Sequence, residues 1–160
     1  MTIEIICTGK LKEKYWQDAA AEYIKRLGRF AKVRITELAE VKLSGESEAD
    51  EAQVVNAESR AAMAKIAPGP QSFVIALDVK GRSLSSTQLA EKMAELALCG
   101  KSRIVFVIGG SLGLSQELLS ACDLRLSFSE MTFPHQLMRV ILLEQVYRAF
   151  KINAGEAYHK

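Results

Sequence analysis

Histidine occurs only twice in the 160 residues, cysteine three times and tryptophan once. Each shortage removes a class of chemistry. Two histidines cannot build a multi-histidine metal centre, and no acidic cluster has ligand spacing that would replace them, so no metal is expected. Cys7, Cys99 and Cys122 are odd in number, widely separated and without a CxxC pair. Neither a disulfide framework nor a structural zinc site is supported, and a reducing cytosol fits this usage best. No segment approaches the roughly eighteen uncharged apolar residues of a membrane span, and the opening MTIEIICTGKLKEK is too short in its apolar part for a signal peptide. A soluble, cytoplasmic protein is the expectation. There is no GxSxG, which argues against a serine hydrolase. CGKS at 99–102 is not a P-loop, because Glu95 stands where the first glycine belongs.

What is present suits one compact domain over residues 1–160, with 49% hydrophobic residues to build a core. The net charge of +2 conceals an uneven distribution. Residues 1–34 carry eight basic groups against four acidic, and residues 35–70 carry three against seven. That contrast fits a phosphate-binding face with a solvated counterweight, and equally an ordinary charged helix surface.

Apolar periodicity alternates between strand and helix along the whole chain. IEIIC and KVRITEL read as strands flanking a helix from KEKYWQDAAAEYIKRLGRF, with Tyr15, Ala19, Tyr23 or Ile24, Leu27 and Phe30 at helical spacing. A second helix is expected from Glu48 to Ile66, stopped by PGP. SFVIALDV and RIVFVIGG are short, nearly uninterrupted apolar runs, the pattern of strands covered on both faces. Between them, Ser85 precedes Gln88 by three residues in a capping-box spacing that opens another helix. A short helix after GLS, the strand LRLSF and a helix from Pro134 to about Phe150 complete the pattern. The fold class is therefore α/β, a parallel sheet sandwiched by helices.

Ligands of such sheets bind where loops leave the carboxyl ends of strands. Three loops qualify: ALDVKGRS, VIGGSLGLS and SFSEMTFPHQ. Gly109, Gly110 and Gly113 of the second form GGxxG, the spacing either of a tight strand-to-helix turn or of a loop whose backbone a ligand can approach. Glu130 follows at the distance of a dinucleotide ribose ligand, but that fingerprint normally opens a fold and here stands near its end. His135, just after Pro134, reads as a structural first-turn residue. A glycine-lined pocket without an obvious acid, base or metal suits a reaction in which a cofactor does the chemistry and the protein orients it.

FVIGGSLGLS and LSFSEMTFPHQLMRVILLEQVYRAFKINAGEAYHK, together with GKLKEKYW and EYIKRLGRF near the start, closely resemble the ribosomal RNA large-subunit methyltransferase H family of the SPOUT superfamily. The resemblance covers essentially the whole chain. It implies a homodimer with a deep C-terminal trefoil knot that binds S-adenosylmethionine. It further implies methylation of N3 of a pseudouridine in helix 69 of 23S rRNA on assembled ribosomes. Carried over by position, Leu77, Gly109, Phe128, Ser129, Glu130, Met131, Thr132 and Phe133 form the cofactor pocket, in the three loops already singled out. The helix after Pro134 is apolar around most of its circumference, as expected of one that packs against a second subunit. The same resemblance makes the tail functional: Tyr158 to stack on a base, His159 to hydrogen-bond the target, Lys160 to meet a phosphate. Arg139 joins them if its side of the helix faces the pocket. An interface salt bridge is the other role open to it.

Overall fold

Strands that are apolar on both faces need cover on both, and the alternation of elements supplies it. The computed structural model describes residues 1–67 and 69–158; Pro68, His159 and Lys160 lie outside the described residues, and with them the expectations placed on His159 and Lys160. In chain order the elements are β1 (Thr2–Thr8), α1 (Lys14–Leu27), β2 (Lys32–Leu38), α2 (Glu48–Met63) and β3 (Ser72–Ser83). They continue with α3 (Ser86–Leu98), β4 (Arg103–Ile108), α4 (Gln116–Ala121), β5 (Leu124–Ser127) and α5 (His135–Asn153). The sheet order is β2-β1-β4-β3-β5, and every pairing is parallel.

Period-two alternation divides the core. Ile104, Phe106 and Ile108 of β4 face α1, α3 and α5, whereas Val105 and Val107 face α2 and α4. Both sets are essentially without solvent exposure, so truncating a side chain such as Phe106 to alanine costs about 3–5 kcal/mol. The α/β sandwich is the one expected.

Element ends differ from the reading of the sequence for local reasons. The Ser85–Gln88 capping box forms, with Ser85 N–H donating to Gln88 Oε1 at 2.9 Å. Helix α2 stops at Met63 rather than Ile66, because Lys65 and Ile66 close the chain with i→i+3 bonds to Ala62 and Met63 ahead of the proline-rich stretch. α5 runs on past Phe150 to Asn153 and ends against Gly155, whose φ of +64° only a glycine adopts cheaply. β3 is longer than its apolar run because it breaks and resumes: Leu77 and Arg82 both stand opposite Leu126 of β5. Gly81 permits that return, since a Cβ there would fall 2.7 Å from the Arg125 carbonyl carbon.

Strand order also decides where α5 begins. β5 is at one edge, yet the first turn of α5 contacts Gly9 after β1 and Glu37 at the end of β2. Residues 128–134 must therefore cross the carboxyl ends of β3 and β4, about 15 Å of sheet, which seven extended residues can span. That crossing closes the site.

Candidate functional site

A cavity of about 600 Å³ opens at the carboxyl ends of β3, β4 and β5. Its walls are the three loops: Leu77 to Val79 after the apolar part of β3, Ile108 to Leu114 after β4, and Phe128 to Met138 with gaps after β5. Of the residues assigned from the resemblance, Leu77, Gly109, Phe128, Ser129, Met131, Thr132 and Phe133 line it. Glu130 is exposed and is not among the lining residues.

The glycine loop is shaped by its own backbone. Gly113 N–H donates to Gly110 O at 3.1 Å, and Gly113 has a φ of +85°. This closes a turn that only glycine takes without strain. A Cβ on Gly109 would lie 2.7 Å from Gly113 O, so a side chain there collides with the loop before it meets any ligand. On the far side, Ser115 caps α4 by accepting from Leu118 N–H at 3.2 Å, while its own N–H donates to Ser59 Oγ at 2.8 Å. In the third loop, Met131 N–H donates to Ser129 Oγ at 2.9 Å and Ser127 Oγ donates to Ser129 O at 3.1 Å, which folds the loop over the opening.

Charge at the rim is paired. Asp78 accepts from Arg125 Nε at 2.8 Å across the β3–β5 seam and from Lys80 N–H at 3.2 Å. Inside, the walls are mainly apolar, with Asp78, Ser111, Ser129, Thr132 and His135 as polar side chains among them. That combination holds an aromatic ring by contact and fixes its edge through a few polar groups. Asp78, Leu112 and Leu114 also line the cavity, and their only signal in the sequence was membership of the three loops. His135, expected as a structural first-turn residue, lines it too, as does Met138 on the helix beyond the third loop.

Other chemistry is poorly supplied. Burial pushes the Cys7 thiol up to about 11, and burial followed by the Asp123 charge does the same for Cys122, so neither is a thiolate at neutral pH. Among the described residues, no group of three or more His, Cys, Asp or Glu could hold a metal ion. No described helix is long and apolar enough to cross a membrane.

Two of the residues expected at the chemistry lie apart from the cavity within one chain. Arg139 is 1% exposed, donates from Nη2 to Gly9 O at 2.9 Å and pairs through Nη1 with Glu37. Its side of α5 faces the ends of β1 and β2, and it does not line the cavity. Tyr158 folds back on the middle of α5. Its ring meets Tyr147 edge-on at 5.1 Å, the Arg148 guanidinium stands 4.7 Å above it, and its hydroxyl donates to Glu144 at 3.3 Å. Burial, and then the Glu144 charge, raises its phenol. Glu144 lies nine residues beyond His135, about 13 Å along the helix.

Comparison with known proteins agrees with this geometry. The family model of predicted SPOUT methyltransferases matches residues 1–159. The ribosomal RNA large subunit methyltransferase H of Clostridium novyi is 55% identical over 161 aligned positions, covering 100% of both chains. The protein of the same name from Carboxydothermus hydrogenoformans is 50% identical with the same full coverage. Among solved structures, a probable methylase family protein from Haemophilus influenzae superposes with a TM-score of 0.53 at 17% identity, over 99% of this chain and 70% of that one. A putative methylase family protein from Neisseria gonorrhoeae gives 0.54 at 16% identity, over 99% and 86%. At those identities the structures speak for the fold, and the full-length relatives for the family. The chain belongs to the SPOUT methyltransferase family, within the group of ribosomal RNA large subunit methyltransferase H proteins.

Proposed function

We propose that this protein methylates N3 of a pseudouridine in helix 69 of 23S rRNA on the assembled ribosome, as a homodimer with S-adenosylmethionine as donor. The observation that carries the reading is the cavity itself. It is about 600 Å³, apolar, edged by glycine-loop backbone, and walled by seven of the eight residues assigned to the cofactor. The same names borne by full-length relatives at 50–55% identity support the RNA substrate.

The residues fit the donor. Gly109, Gly110 and Gly113 put no side chain between the loop and the adenine edge, and Leu77, Phe128, Phe133 and Met138 supply contact for its faces. When bound, S-adenosylmethionine supplies an electrophilic methyl group. The chain then has to orient and enclose. The imide N–H of the target is weakly acidic, so the protein needs no strong base, and in-line placement with exclusion of water accounts for most of the acceleration. Glu130, exposed and outside the cavity lining, is left to the solvent side of the loop.

Two further parts of the reading have structural support. α5 buries Leu142, Leu143, Val146 and Tyr147 in its own core, while Leu137 and Ile141, one turn apart, remain partly exposed and outside that cluster. A second subunit would cover them. In such a dimer Tyr158 and the tail serve the partner's cavity, which reconciles their functional role with their distance from this one. The crossing of residues 128–134 over the strand ends agrees with the C-terminal knot.

Incubation of ribosomes lacking the modification with radiolabelled S-adenosylmethionine tests the proposal. Label in 23S rRNA supports it. Bound donor without transfer would indicate a cofactor-sensing module, and ribosome binding indifferent to the donor an assembly factor.

A further inference from the structure

Glu58 is a carboxylate buried where the hydrophobic core alone gives no need of one. It sits on α2, 6% exposed, and does not line the cavity. Its Oε1 accepts Val41 N–H at 2.9 Å, and its Oε2 stands 2.6 Å from the point a Cβ on Gly110 would occupy. The adjacent Ser59, 1% exposed, accepts Ser115 N–H at 2.8 Å. One turn of α2 thus holds both ends of the glycine loop, Gly110 by contact and Ser115 by hydrogen bond.

An apolar side chain of similar size would fill this space without the desolvation a carboxylate suffers. What it would not do is tie the chain after β2 to the back of Gly110. Glycine-rich loops lose more conformational freedom on ordering than others, and a loop ordered in advance spares the ligand that cost. We infer that Glu58 and Ser59 are positioning residues: they hold the glycine loop in its binding shape before the methyl donor arrives. The inference rests on the reading of the cavity as the donor's site. It also gives part of the acidic stretch 35–70 a task beyond solvation.

Calorimetry with S-adenosylhomocysteine and amide hydrogen exchange on the free protein test it together. Glu58→Ala and Ser59→Ala should each weaken binding about tenfold. Each should also speed exchange of the amides in 110–115 by a similar factor, with protection in β1 and β4 unchanged. Glu58→Gln keeps an oxygen for Val41 N–H and the same volume, and should restore both to near wild type. A Gly110→Ala substitution, which collides with Glu58, should add little to Glu58→Ala, since the alanine vacates the space it needs. Wild-type affinity and wild-type loop exchange in Glu58→Ala would overturn the inference, whatever its melting temperature. If that variant fails to fold, Ser59→Ala is judged by the same two readouts. Failure of the wild type to bind S-adenosylhomocysteine would instead remove the donor reading, while loop exchange in the free protein would still decide whether α2 holds the loop.

Discussion

Arg139 and Glu37, separated by 102 positions in the chain, form an ion pair 2.5 Å long at the point where the last helix meets the second strand. Because Arg139 also donates to Gly9 O, the first turn of α5 is fixed to the ends of β1 and β2 together. The loop over the cavity ends at that turn, so the pair anchors one side of the site.

Replacing Arg139 by alanine should therefore destabilise the fold by about 2–4 kcal/mol, since it leaves Gly9 O and a partly covered carboxylate without their partner. Lysine should recover less than half, having no second donor in a fixed fork to serve both acceptors. Urea unfolding with unchanged m-values checks both. A loss below 0.5 kcal/mol would show the pair to be ornamental.

Gly109→Val places branched carbons where Gly113 O already stands, 2.7 Å from even a Cβ. The loop must open, and binding of S-adenosylhomocysteine should fall at least a hundredfold in calorimetry. Equal affinity would remove this loop from the site.

Cys7 gives a pH signature. Its thiol is raised from 9.0 to about 11 by burial, so between those values the unfolded chain loses a proton that the folded chain keeps. The unfolded state then binds fewer protons, and stability falls as pH rises. The contribution is intact below pH 9 and lost progressively towards 11, roughly 3 kcal/mol in all. Urea midpoints of Cys7→Ala should lack this part of the alkaline decline, and in the wild type iodoacetamide at pH 8 should label the exposed Cys99 well ahead of Cys7. An identical alkaline decline in both proteins would contradict it.

Removing residues 158–160 takes away the Tyr158 contacts with Tyr147, Arg148 and Glu144 on the flank of α5. Folding and donor binding should persist, with a stability loss of about 1 kcal/mol from the ring contacts. Methylation of ribosomes should fall by more than a hundredfold, and His159→Ala should do much of the same damage. Truncated protein acting at the wild-type rate would move the RNA-binding role towards the basic first helix.

These expectations mix what was legible in the residues with what was not. Periodicity and the Ser85–Gln88 spacing were enough for the sandwich, and strand ends followed by glycine or polar runs were enough for the three loops, because both signals are local. The return of β3 at Gly81 was hidden because the residue it must avoid, Arg125, lies on another strand. Arg139 faces Gly9 and Glu37 for the same kind of reason: its partners are set by the crossing from β5 to α5, which no local pattern encodes. Glu58 looked like one more charge on an acidic helix, and only the proximity of Gly110 distinguishes it.

The most direct test of the account is primer extension across helix 69 of 23S rRNA from ribosomes lacking the modification, after treatment with this protein and S-adenosylmethionine. A methyl on N3 blocks the pairing edge of the base, so the account predicts one new stop at a pseudouridine with the wild type and none with Gly109→Val. Read-through after wild-type treatment, or a stop that Gly109→Val produces equally well, would contradict it.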